Sequence, residues 1–143
     1  MKIKLTFIIT LLVLFSNLTY GQDKLKIERS ENSRLIEVLN NSELISENSE
    51  KWLSVRIYKI DNGAGSAGFN SGEVSHNILV AVSEFDIGPE QNLFEIGPFY
   101  NPEFIKWDRK KEYEKEFEVE YGGYNDRKSI RLKVNINEMT IEK

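Results

Sequence analysis

The sequence predicts a mostly β protein: a two-layer antiparallel β-sandwich of about seven strands, with a short helix near residues 31–40. Three observations predict it. Short apolar runs with a period of two recur between Gly, Pro, Asn and Ser punctuation. One run, Val74 to Phe85, is apolar on both sides, which suits a strand in a sheet covered twice or bending across a sandwich. The C-terminal third carries the regular alternation of a hairpin. The competing architecture is an α+β fold, with the helix packed on one curved antiparallel sheet.

Taken in order, residues 1–21 read as a secretory signal peptide. Lys2 and Lys4 form a positive start, Leu5 to Phe15 an apolar stretch interrupted by Thr6 and Thr10, and Ser16 to Gly21 a polar end. The apolar stretch is roughly half the ~20 residues a spanning helix needs. Cleavage after Gly21 would leave 122 of the 143 residues, 22–143, as a single β-rich domain.

Lys24 to Arg29 alternates Leu25 and Ile27 with charged neighbours and reads as a first strand. In the next stretch Leu35, Ile36, Val38 and Leu39 recur at helical spacing. Ser30 is placed to cap a helix starting at Glu31, and Asn40-Asn41-Ser42 to end it. A strand at Arg34–Leu39 followed by a loop is the alternative. Trp52 to Ile60 is a strand with Leu53, Val55, Ile57 and Lys59 on one face and Trp52, Ser54, Arg56, Tyr58 and Ile60 on the other. Asp61 to Glu73 reads as a long surface loop. In Val74–Phe85, Ile78, Val80 and Val82 face one way, and Leu79, Ala81 and Phe85 the other. Leu93–Ile96 and Phe104–Trp107 are shorter runs separated by Gly97-Pro98 and Asn101-Pro102.

From Glu112 to Glu120 every second residue is glutamate, with Tyr113, Lys115, Phe117, Val119 and then Tyr121 between. A strand would put five carboxylates on one face. After Gly122-Gly123-Tyr124-Asn125-Asp126, the row Ile130, Leu132, Val134, Ile136 mirrors it. Joining the apolar faces restricts register to one parity. One allowed register sets Val119 opposite Ile130, Phe117 opposite Leu132, Glu118 opposite Arg131 and Glu116 opposite Lys133. The ladder is explained as a paired, solvated face. Five acids outnumber the two facing cations, so some negative potential is expected to remain.

Charge and composition narrow the function. The net charge is −4, and losing Lys2 and Lys4 with the leader takes it to −6. That balance gives no support to nucleic-acid binding, which needs a basic face. There is no cysteine, which removes disulfides, thiolate chemistry and a cysteine-linked lipid anchor. A cysteine-free exported domain fits a bacterial periplasmic or secreted protein, with no stable membrane anchor after cleavage.

Catalytic motifs are sparse. Gly63-Ala64-Gly65-Ser66-Ala67-Gly68 matches G-x-G-x-x-G, but Phe69-Asn70-Ser71-Gly72 resists the helix that dinucleotide binding requires. His76 is the only histidine, sits at strand register and has no nucleophile elbow nearby. No carboxylate pair stands out for glycoside hydrolysis. Asp61, Asn62, Glu73 and Asp86, with Glu90, lie in or beside loops and offer oxygen ligands for calcium without an EF-hand register. The rings Phe94, Phe104 and Trp107 read as core. Phe99 and Tyr100, between two prolines, read as the exposed ligand-binding pair. The expected function is therefore an exported, non-enzymatic binding or interaction module. It would contact a protein or glycan through loops such as Asp61–Glu73 and Gly97–Pro102. The alternative is a small carboxylate-dependent hydrolase, with or without calcium.

Overall fold

The computed structural model describes residues 27–67 and 73–142. The signal-peptide reading of residues 1–21 lies outside them. The chain divides into two units, Met1–Glu31 and Asn32–Lys143. In the first, the described residues 27–31 are exposed and without regular structure. The strand expected at Lys24–Arg29 is thus not formed over Ile27–Arg29, where Ile27 is fully exposed. Residues 24–26 are outside the described set.

The second unit is a β-sandwich with one helix. Helix α1 spans Ser33–Asn41, followed by β1 Ser42–Glu50, β2 Leu53–Ala64, β3 Val74–Glu84, β4 Gln91–Tyr100, β5 Glu103–Lys110, β6 Lys115–Gly123, β7 Asp126–Val134 and β8 Met139–Glu142. Each sheet is an antiparallel meander of four sequential strands, β1-β2-β3-β4 and β5-β6-β7-β8. The inner faces meet in a core of Leu53, Val55, Ile57, Ile78, Val80, Val82 and Phe99 from the first sheet, against Phe117, Val119, Leu132, Val134 and Ile136. Phe94, Phe104 and Trp107 pack at its margin, with Phe104 5.5 Å from Trp107 and Trp107 5.4 Å from Phe117 by ring centroid. At the layer edges Trp107 Nε1 donates to Ser46 Oγ (3.0 Å) and Asn92 Nδ2 to the Ile136 carbonyl (2.7 Å).

Among the described residues eight strands form where about seven were expected. β1 and β8 are additional, and both are sheet edges. In β1, SELISENSE has one buried residue, Asn48, and Ile45 sits in a bulge between Leu44 and Ser46. β2 runs on to Ala64, so Asp61–Ala64 is strand rather than loop, and Gly65–Ala67 begins the turn. β4 likewise runs through Gly97-Pro98. β6 begins at Lys115, which leaves Glu112 and Glu114 in the preceding loop and three glutamates on the strand. The expected hairpin register is observed at all four named pairs.

The helix forms, two residues later than expected at its start. Asn32 caps it, its side chain accepting from the Leu35 N–H at 3.0 Å. It lies on the outer face of the first sheet. There Leu79 and Ile60, which point away from the interlayer core, are buried to 2% and 1% exposure. Leu35 and Val38 line a small cavity with Leu79 and Leu93. β3 is therefore covered on both faces over part of its length, as its double apolar pattern requires. Among the described residues no helix is long and apolar enough to cross a membrane.

Candidate binding site at the turn end of the sandwich

The two ends of the sandwich differ. One carries the β2–β3 and β6–β7 hairpins and the short β4–β5 link; the other carries the β1–β2 turn and the β3–β4 and β5–β6 loops.

The expected ligand residues fall at the hairpin end. Phe99 is 9% exposed and packs on Tyr121 with ring centroids 4.8 Å apart, so it belongs to the core and offers no free face. Its β-strand alternation, rather than the flanking prolines, decides its direction. Tyr100 is half-buried, and its hydroxyl donates to Glu73 Oε1 at 2.9 Å. That bond holds the phenol above its ordinary pKa. Tyr100 lines a cleft with Asn101, Glu103, Gly122, Tyr124 and Arg127. Here Arg127 donates to the Asn101 carbonyl (2.8 Å) and the Gly122 carbonyl (3.2 Å) and pairs with Glu103 and Glu120, both at 3.4 Å. Its role is to stitch the β4–β5 link to the hairpin.

The four suggested cation ligands do not converge. Asp61 Oδ1 accepts from the Gly63 N–H, Asn62 Nδ2 donates to Ser75 Oγ and Asn77 Oδ1, and Glu73 holds Tyr100. Asp86 lies beyond the opposite end of β3, which at roughly 3.3 Å per residue is about 35 Å long. Among the described residues no group of three His, Asp or Glu side chains is placed to hold a metal ion.

At the turn end, three aromatic rings come from three separate connections. Trp52 ends the β1–β2 turn, Phe85 follows β3, and Tyr113 sits in the β5–β6 loop. They are 51%, 46% and 58% exposed: each is half covered, hence supported, and each keeps a free side. Trp52 and Phe85 extend the β2–β3 ladder by one pair, since the Phe85 N–H donates to the Trp52 carbonyl at 3.2 Å. Two adjoining cavities share these two rings. One, about 540 Å³, is lined by Lys51, Trp52, Phe85 and Glu112. The other, about 280 Å³, is lined by Trp52, Glu84, Phe85, Asp86 and Tyr113.

Local structure fixes the loops that carry these rings. Lys51 adopts a left-handed conformation (φ 62°) in the two-residue turn, and its Nζ donates to the Lys110 carbonyl at 2.9 Å. Lys115 is fully buried, and its Nζ donates to the carbonyls of Glu50 and Lys111, each at 3.1 Å. It thereby ties the Trp52 turn to the Tyr113 loop. Asp86 Oδ1 accepts from the Ile87 N–H at 2.6 Å, and Gly88 (φ 82°) supplies the left-handed residue the β3–β4 loop needs. Ile87, at this loop's tip, is fully exposed.

Sequence reasoning missed this site. Phe85 and Tyr113 continue largely apolar strand rows and Trp52 starts a mixed row with Ser54 and Arg56, so alternation assigns them to faces and not to an end. The available signals were Trp52 directly after a polar turn and two apolar residues, Phe85 and Ile87, beside Gly88-Pro89. Comparison with known proteins finds no matching family model, no matching curated protein and no matching solved structure.

Proposed function

We propose that the protein is an exported, non-enzymatic binding module that engages a protein or glycan through the end bearing Trp52, Phe85 and Tyr113. The observation that carries the reading is the convergence of three half-exposed rings, from three connections, around two adjoining clefts. Rigid aromatic side chains give a large contact area for little lost freedom, and they dominate the energetics of interfaces. Loops held by a rigid scaffold are the usual place for such contacts.

The carboxylates favour binding over hydrolysis. A general acid needs a raised pKa. Among the described residues the shifted carboxyls, Glu43, Glu47, Asp108, Glu114 and Glu118, are all held below their ordinary values by hydrogen-bonding hydroxyls and nearby cations.

The test is amide chemical-shift mapping with a fixed set of probes: neutral oligosaccharides, an acidic peptide and a basic peptide. At least one probe is expected to give saturable shifts centred on Trp52, Phe85 and Tyr113. Trp52→Ala is expected to weaken that binding by about 2 kcal/mol while leaving the fold intact. Shifts centred elsewhere, or no saturable shift with any probe, would sink the proposal.

A further inference from the structure

We infer that the ligand of this end is an arginine-bearing segment of a partner protein; the inference rests on the binding reading above and names its chemistry. Charge complementarity is the argument. Three carboxylates, Glu84, Asp86 and Glu112, line the ring-walled cavities. The cations at this end are turned to other tasks. Lys110 pairs with Glu50 (3.5 Å), Lys111 with Glu114 (2.8 Å), Lys51 reaches the Lys110 carbonyl, and Lys115 is buried on two carbonyls. Lys51 keeps its charge beside Glu112, so the negative charge left facing a ligand is that of Glu84 and Asp86, beside the negative faces of aromatic rings, which attract a cation.

The two cavities rank themselves. The larger has Lys51 on its rim, which offsets Glu112. The smaller sets Glu84 and Asp86 among all three rings, with no basic residue lining it. It is the better seat for a positive group. A guanidinium suits it more than an ammonium. It is planar and weakly hydrated, stacks on a ring, and presents paired N–H donors to a carboxylate, whereas an ammonium is a strongly hydrated point charge. Both cavities are open notches rather than enclosed cages, so a small free cation would stay largely hydrated. A side chain carried on a peptide gains contacts along the rings and exposed Ile87 as well.

The experiment titrates the protein with a blocked peptide, Gly-Arg-Gly-Arg-Gly, followed by amide shifts and by tryptophan fluorescence, to which Trp52 and Trp107 both contribute. The same peptide with lysines, choline, and a neutral glucose hexasaccharide are compared. Saturable binding of the arginine peptide at Trp52, Phe85 and Tyr113 is expected, weakening as salt rises. The lysine peptide should bind about tenfold more weakly. Glu84→Gln with Asp86→Asn should also weaken arginine binding about tenfold, with Glu84→Gln alone as the milder variant should the pair unfold. Asparagine keeps the oxygen that caps Ile87, so this loop should persist.

Equal binding by the neutralised and native proteins would overturn the assignment, as would tighter binding of choline or of the lysine peptide. If only the oligosaccharide moves the three ring residues, the arginine assignment fails and the binding reading stands. If no probe moves them, both fail.

Discussion

Lys115 shows how one residue can join stability to the candidate site. It occupies the inner row of β6 with Phe117 and Val119, where an apolar side chain is the rule, yet it is fully buried. Burial lowers its pKa below the usual lysine value, opposed by Glu50 and reinforced by Lys51 and Lys110. Because the folded-state pKa is depressed, the folded protein binds fewer protons than the unfolded chain between that value and about 10.4. Stability should therefore rise with pH across that window, and this rise should vanish in Lys115→Met. Urea midpoints of both proteins from pH 8 to 10.5 check this, and a rise that persists in the variant would refute the assignment. At neutral pH the substitution leaves the carbonyls of Glu50 and Lys111 without their donor, an expected loss of about 1–3 kcal/mol. Ring mobility at Trp52 and Tyr113 should increase with it. The exception was visible in the sequence as a lysine within an apolar row. Its purpose was not, because both acceptors are backbone groups of other connections, 65 and 4 residues away.

At the scale of elements, the helix and its clamp separate two kinds of contact. Arg34 donates to both Glu95 oxygens, at 3.1 and 3.2 Å, across 61 residues, and Asn77 joins Glu95 to Asn62. The Arg34–Glu95 pair is about half exposed, and exposed ion pairs contribute roughly 0–1 kcal/mol. Leu79, beneath the helix, is nearly sealed from water, and truncating such a leucine costs about 2–5 kcal/mol. Denaturation of Leu79→Ala and Glu95→Gln should therefore show a several-fold larger loss for the leucine. Equal losses would mean that the clamp, not burial, docks the helix. The helix was legible because Leu35, Ile36, Val38 and Leu39 fit a 3.6-residue period, and the C-terminal hairpin because two apolar rows must face inward together. β1 was not: Glu43, Ser46, Asn48 and Glu50 carry no apolar alternation, and the bulge at Ile45 breaks what phase there is. An edge strand can be polar because only one of its sides is paired. Nor could alternation reveal the end that carries Trp52, Phe85 and Tyr113, since convergence of three loops is a property of the two sheets packed together.

On the scale of the whole molecule, the second sheet turns a charge ladder to solvent, where the acids and bases are largely paired with one another. The expected surplus of acid is met by cations from strands on either side. Lys106 reaches Glu118 (3.3 Å) and Asp108 (3.1 Å), Arg109 reaches Glu116 (3.5 Å), Arg131 reaches Asp108 (2.8 Å), and Lys133 reaches Glu114 (3.0 Å). Ser129 donates to Glu118 as well. Pairing of this kind blunts the outward face while the apolar row beneath fills the core. It also sets a pH dependence. Lys106 holds the Asp108 carboxyl down, Lys111 and Lys133 hold Glu114 down, and Ser129 and Lys106 hold Glu118 down. With folded-state values below the unfolded ones, about 3.9 for Asp and 4.3 for Glu, the unfolded chain binds more protons in acid. This contribution is complete above the unfolded values and is lost as pH falls through the folded ones. Burial holds the His76 imidazole below its ordinary value, so the urea midpoint should decline gently below about pH 6.5 and then drop steeply from about pH 5 toward pH 3. Added salt should lessen the drop by screening the exposed partners. Asp108→Asn should lower the midpoint at pH 7 and flatten the acid limb, because Lys106 and Arg131 share that one carboxylate. A midpoint unchanged by this substitution at pH 7, with an acid limb as steep as before, would show that the ladder is ornament on a sandwich held by its core alone.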